Sequence, residues 1–257
     1  MNENNFSRRN FLRGSILTVG AMSAIPAIVE ASMPAAGKKK GKLTPEEGSV
    51  ILFQGDSITD SGREKQKELP NSPASFGSGY AFMSASRILQ HFPEKKLQIF
   101  NRGISGNKVF QLSDRWEKDC LQLKPSLLSI LIGVNDYWHM RNGQYKGTVE
   151  IYENDYRKLL SRTREALPDI RFVVCQPFGL AGTTAVSEEW MIPFRAYQEA
   201  AYKIAGEFNA IWIPFQKVFD EAVRHAPATY WSGDGVHPTM AGSQLMANAW
   251  LAGVFGI

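Results

Sequence analysis

Five short apolar runs constrain this chain more than any other feature of its sequence: Val50–Gln54, Leu97–Phe100, Leu127–Ile132, Phe172–Gln176 and Ile211–Ile213. A run that is apolar at nearly every position, not at alternate ones, predicts a strand covered on both faces, and such strands belong to parallel sheets. The segments between them carry apolar residues at helical spacing: Ala81, Ala85, Ile88, Leu89 and Phe92, then Tyr156, Leu159 and Leu160, then Ala200, Ala201, Ile204 and Phe208. Beyond the last run, Leu245, Met246, Ala249 and Trp250 predict a C-terminal helix that opens near Pro238. Strands alternating with helices imply right-handed βαβ crossovers, hence an α/β fold, a three-layer α/β/α sandwich around a five-stranded parallel sheet. Ligands of such sheets bind beyond the carboxyl ends of the strands, so chemistry is sought in the turns that follow them.

Four of those turns are polar and punctuated by glycine. They are Gly55-Asp56-Ser57-Ile58-Thr59, Asn101-Arg102-Gly103-Ile104-Ser105-Gly106, Gly133-Val134-Asn135-Asp136 and, after the fifth strand and a short helix, Asp234-Gly235-Val236-His237-Pro238. Acyl transfer needs a nucleophile, a base to take its proton, a group to hold that base, and donors for the oxyanion. Ser57, between a strand and a helix, presents its hydroxyl at a helix N-terminus, where backbone N–H groups favour developing negative charge. At neutral pH the base is a histidine, and the chain has four: His91, His139, His225 and His237. His91 ends a surface helix, His225 lies in a late helix remote from the strand ends, and no carboxylate can orient His139 as well as Asp234, three residues away in a tight glycine-containing turn, orients His237. The predicted catalytic set is therefore Ser57, Asp234 and His237. The oxyanion donors expected are the N–H groups of Ser57 and Gly103 and the side-chain amide of Asn135, with glycine at 103 letting the backbone approach the substrate.

Each of these pieces alone is a common turn or cap; their joint occurrence at successive strand ends carries the inference. Asp56 and Asp136 read as loop organisers. Trp138, Tyr230 and Trp231 flank the same turns, where they either form a rim on which a sugar stacks or pack into the protein.

On these residues the chain resembles the SGNH hydrolases, a GDSL-like family whose four blocks carry Ser, Gly, Asn and His, here Ser57, Gly103, Asn135 and His237. The resemblance covers residues 48–254 and implies a flavodoxin-like sheet. The strings at 55–63, 101–107 and 133–138, together with Arg115-Trp116 and Asp119, look like the branch that contains acetylxylan esterases. What it implies is a serine esterase acting on small or oligosaccharide esters, O-acetylated glycans such as xylan first. A lysophospholipase or other lipid or aryl esterase is the alternative, and an inactive glycan-binding module the remote one.

Charge distinguishes the N-terminal segment from the rest. The whole chain carries 29 basic and 25 acidic side chains, but the first 42 residues hold seven of the bases and only two of the acids, leaving a net charge of −1 beyond them. A nucleic-acid partner is therefore not expected. Ser7-Arg8-Arg9-Asn10-Phe11-Leu12, followed by a soft run of small residues from Gly14 to Val29, resembles a twin-arginine export signal. Residues 1–36 are read as that signal, with cleavage after Ala31 or near Ala36, 37–47 as a basic linker and 48–257 as the hydrolase domain. The expected location is periplasmic or secreted, with no stable membrane insertion once the signal is removed. The two cysteines, Cys120 and Cys175, sit in no CxxC or Cys/His cluster, so neither metal nor cofactor is expected.

Overall fold

The computed structural model describes residues 24–33 and 42–257. All five apolar runs are strands: β1 (Val50–Gly55), β2 (Gln98–Asn101), β3 (Leu127–Leu131), β4 (Arg171–Cys175) and β5 (Ile211–Ile213). They pair in parallel in the order β2-β1-β3-β4-β5. Leu52, Phe53, Leu128, Val173 and Val174 are fully buried, the outcome expected of strands covered on both faces. In this order the crossover direction reverses at β1, which opens a crevice between the strand ends on either side of it.

In chain order the helices are α1 (Ala24–Ser32), α2 (Ser57–Asp60), α3 (Tyr80–His91), α4 (Val109–Asp114), α5 (Trp116–Asp119), α6 (Val134–Arg141), α7 (Val149–Ala166), α8 (Glu188–Glu207), α9 (Phe215–Ala222), α10 (Ala228–Trp231) and α11 (Met240–Val254). Helices α3, α9 and α11 cover one face of the sheet, and α4, α7 and α8 the other. The apolar stripe of α7 (Tyr152, Tyr156, Leu159 and Leu160) is buried, and Thr148 caps that helix by accepting from the Ile151 N–H. On the opposite face Trp250 of α11 packs 5.0 Å from the Phe53 ring and donates its indole N–H to Ser129 Oγ in β3, which locks the C-terminal helix across the sheet. That helix begins at Met240, two residues beyond Pro238: Thr239 is its cap, and Pro238 pairs with Ser232 across the turn that carries His237.

Both cysteines are buried and free, and burial pushes both thiols up from their ordinary range. The Arg8-Arg9 pair and residues 37–41 of the linker lie outside the described residues. One part of the segment read as a signal, residues 24–33, does lie within them. It forms α1, whose Ile28, Val29 and Ser32 are buried against α9 and α11. No helix among the described residues is long and apolar enough to cross a membrane.

Candidate active site

Strand register decides what meets at the sheet edge. Gly55 of β1 is opposite Leu131 of β3, and Phe53 is opposite Asn101 of β2, so three strands end nearly level. The turns that leave them therefore gather over the crevice beside β1. Asp56 ends β1 by capping α2, its Oδ1 accepting from the Ile58 N–H at 3.0 Å, and this sets Ser57 as the first residue of the helix. Gly133 opens α6 at a φ of +131°, a conformation that favours glycine, and puts Asn135 in the first helical turn.

The fourth turn arrives from α10. Asp234 Oδ1 accepts from the N–H groups of Val236 and His237, at 2.9 and 2.8 Å, and from Ser232 Oγ at 3.2 Å, so the carboxylate holds its own turn closed. Its second oxygen lies 2.6 Å from His237 Nδ1, and His237 Nε2 lies 2.8 Å from Ser57 Oγ. With Nδ1–H donating to Asp234, Nε2 is left to accept from the serine hydroxyl. The structure thus brings Ser57, His237 and Asp234 into one hydrogen-bonded chain. Partial burial alone would raise the Asp234 pKa, but the bonds from the His237 ring and from the His237 and Val236 amides hold it below its ordinary value. Of the other histidines, His139 has Nδ1 3.1 Å from Lys108 Nζ and faces no carboxylate.

The oxyanion donors differ from expectation at one position. The Ser57 N–H has no acceptor among the described residues, consistent with the first turn of a helix. Asn135 is buried, and its Nδ2 donates one hydrogen to the Asn107 carbonyl at 3.3 Å, leaving the second for another acceptor. The Gly103 N–H, however, donates to Asn101 Oδ1 at 2.9 Å and points into the protein. The Asn101 amide is in turn pinned to the carbonyls of Thr59 and Phe76, so this strut is fixed. The requirement for glycine at 103 comes from α2 and not from a substrate: a Cβ there would lie 2.5 Å from the Asp60 nitrogen and 2.8 Å from the Thr59 carbonyl carbon.

Asp56 and Asp136 are fully buried, and each leaves one carboxylate oxygen without a partner among the described residues. Burial pushes Asp56 up to about 7, against the pull of the Ile58 amide and of His237. Burial likewise pushes Asp136 up to about 7; the Val109 N–H pulls it down and the Asp56 charge raises it further.

A cleft of about 410 Å³ lies over Ser57 and His237, walled by Asp60, Lys65, Ser105 and Ser243 among others. None of the three aromatics expected at its rim lines it. Trp231, the last residue of α10, is buried with its indole N–H on the carbonyls of Ala222 and Ala226; Trp138 is half-buried against Trp190; Tyr230 is exposed and does not line the cleft. Sequence reasoning missed Lys65, whose ammonium lies 2.8 Å from Asp60 Oδ2 at the cleft wall. Its position eight residues after Ser57, in the same glycine-broken loop, was the available signal.

Known proteins share this arrangement of chain. The model of the GDSL-like Lipase/Acylhydrolase family matches residues 53–245. An acetylxylan esterase from Geobacillus stearothermophilus is 32% identical over 206 residues, 79% of this chain and 93% of its own; its crystal structure superposes with a TM-score of 0.74 at 30% identity, covering 82% and 96% of the two chains. A protein from Parabacteroides merdae assigned to the GDSL-like lipases is 50% identical with a TM-score of 0.81, covering 83% of this chain and 99% of its own. An α/β hydrolase from the metagenome of Lake Arreo, Spain, is 28% identical with a TM-score of 0.75, covering 82% and 97%. With most of its length matched by the family model and the same sheet found in these relatives, the chain belongs to the GDSL-like lipase/acylhydrolase family and is an esterase.

Proposed function

We propose that this esterase removes short acyl groups, acetyl first, from glycans such as xylan, through an acyl-enzyme on Ser57. The observation that carries the reading is the unbroken run of bonds from Ser57 Oγ through both ring nitrogens of His237 to Asp234. In that mechanism His237 takes the Ser57 proton as Oγ attacks the ester carbonyl. Asp234 stabilises the imidazolium, and the Ser57 N–H and the Asn135 amide hold the oxyanion. His237 then protonates the leaving alcohol, and water repeats the sequence on the acyl-serine. A short acyl group is favoured by the cleft, which is modest in volume and lined mostly by polar residues. The identity of the relative that acts on acetylxylan favours the glycan.

A nitrophenyl ester series from acetate to decanoate, followed by acetate release from acetylated xylo-oligosaccharides, tests the assignment. Turnover confined to the shortest esters, together with release from the oligosaccharides, is the expected result. Turnover that rises with chain length would give the protein to lipid esters instead. We also propose export by the twin-arginine route, on the strength of Arg8-Arg9 and the small-residue run behind them. Arg8→Lys/Arg9→Lys is expected to hold the protein in the cytoplasm in cell fractionation.

A further inference from the structure

Arg115, Trp116 and Asp119 stand out in the sequence, yet none touches the reacting atoms in the mechanism above. Arg115 follows α4, and its side chain is 16% exposed beside Asp119 at 9%, so this is an inward-facing pair and not a surface one. Its Nη1 donates to Asp119 Oδ2 at 2.8 Å and to the Arg102 carbonyl at 2.8 Å, and its Nε donates to Asn107 Oδ1 at 2.9 Å. Arg102 and Asn107 are the two ends of the loop between β2 and α4. One guanidinium therefore clamps that loop at both ends, which its planar fork of donors permits. That loop also reaches the oxyanion donor: the Asn107 carbonyl accepts from Asn135 Nδ2. No other bond from the Asn135 amide nitrogen to the described residues is formed, so the Asn107 carbonyl sets which way the remaining Nδ2 hydrogen points.

We infer that Arg115, anchored by Asp119, is the positioning residue for the oxyanion donor Asn135, acting through Asn107; the inference rests on the acyl-transfer reading above. Donor direction matters because an oxyanion hole acts on charge that develops only in the transition state, and a donor aimed wrongly is lost from kcat and not from substrate binding. Arg115 holds that aim without touching substrate, as supporting residues around a preorganised site do.

Steady-state kinetics on nitrophenyl acetate with the full chain test this. Arg115→Gln is expected to lower kcat about 10- to 100-fold with KM within about 3-fold, less than the roughly 10²- to 10³-fold of deleting a donor outright. Arg115→Lys keeps the charge beside Asp119 but lacks the fork, and is expected to lose nearly as much. In an Asn135→Ala background Arg115→Gln is expected to add less than about 3-fold, since its path of action ends at an amide already removed. Fully additive losses, or a wild-type kcat in Arg115→Lys, would overturn the inference. Should Arg115→Gln not fold, Asn107→Ala decides: it removes the Nε acceptor and spares the ion pair with Asp119, and an unchanged kcat there overturns the clamp. Failure of the acyl-transfer reading is visible separately, as turnover that survives in Ser57→Ala with Arg115 intact.

Discussion

The two banks of the active-site crevice are built in opposite ways. On one bank, Asp56, Asn101, Asn135 and Asp136 are buried, and the loops that carry them are tied to groups distant in the chain, such as Asn101 to Thr59 and Phe76 and Asn135 to Asn107. On the other, the side chains of His237 and Asp234 are 48% and 33% exposed, and the turn is closed mainly by bonds among residues 232 to 238, with the Gly235 and Asp234 carbonyls accepting from the Leu180 and Ala185 N–H groups. The buried bank is placed by the whole fold and must not move while charge develops. The exposed bank needs only to fix one ring, and a local turn suffices. Rigidity is concentrated where electrostatic preorganisation is needed, and access to solvent where protons are exchanged.

The largest test of this contrast falls on the exposed bank. His237→Ala is expected to cut kcat by about 10⁴-fold or more, with the far-ultraviolet circular dichroism and melting temperature close to wild type, because the bonds that hold the turn run through backbone groups and the Asp234 carboxylate and survive loss of the ring. A loss of folding in this variant would mean that the turn is a structural keystone after all. Asn135→Ala, on the buried bank, is expected to lower kcat by roughly 10²- to 10³-fold with little change in KM. It should also lower the melting temperature, since it leaves the Asn107 carbonyl without its donor. A rise in KM at constant kcat would make Asn135 a substrate-binding residue.

The banks should also respond to pH in opposite senses. The carboxyls of Asp56 and Asp136, pushed up to about 7, bind protons more tightly in the folded than in the unfolded protein. Their effect on stability is therefore most favourable below the unfolded value near ~4 and is lost as pH rises toward about 7. Asp234, held below its ordinary value, contributes stability above ~4 that is lost as pH falls, and its partial exposure makes that contribution small. The wild-type melting temperature is expected to decline between about pH 4 and pH 7, and Asp56→Asn, which preserves the acceptor for the Ile58 amide, to flatten that decline. An identical decline in Asp56→Asn would show that this carboxyl stays ionised throughout.

The smallest expected effect belongs to Tyr230, in contrast to its neighbour Trp231. Trp231→Ala should destabilise by about 3–5 kcal/mol, as a buried ring with its indole N–H satisfied, whereas Tyr230→Ala should stay within about 0.5 kcal/mol and leave KM nearly unchanged. A several-fold rise in KM for glycan substrates in Tyr230→Ala would restore that residue to the substrate rim.

The sequence by itself determined the layers and the location of the chemistry. Nearly continuous apolar runs such as Leu127–Ile132 can be buried on both faces only as central strands, and that pattern is local to each run. The Asp234–His237 contact was legible for the same reason, since a three-residue turn almost dictates that the two side chains meet. Only the tertiary structure decided the rest. That Ser57 stands at His237 depends on β-strand register and on the packing of α11 over β1, which join residues 180 apart in sequence. Which way the Gly103 N–H points depends on the Asn101 strut and on the backbone of α2, and the sequence carries no mark of either. Trp231 is buried and Tyr230 exposed although they are neighbours, because α10 lays one face on α9 and α11 and turns the other to solvent. Hydrophobic periodicity repeats along a segment and can be read there, whereas the direction of a hydrogen bond is set by whatever distant group the fold brings against it.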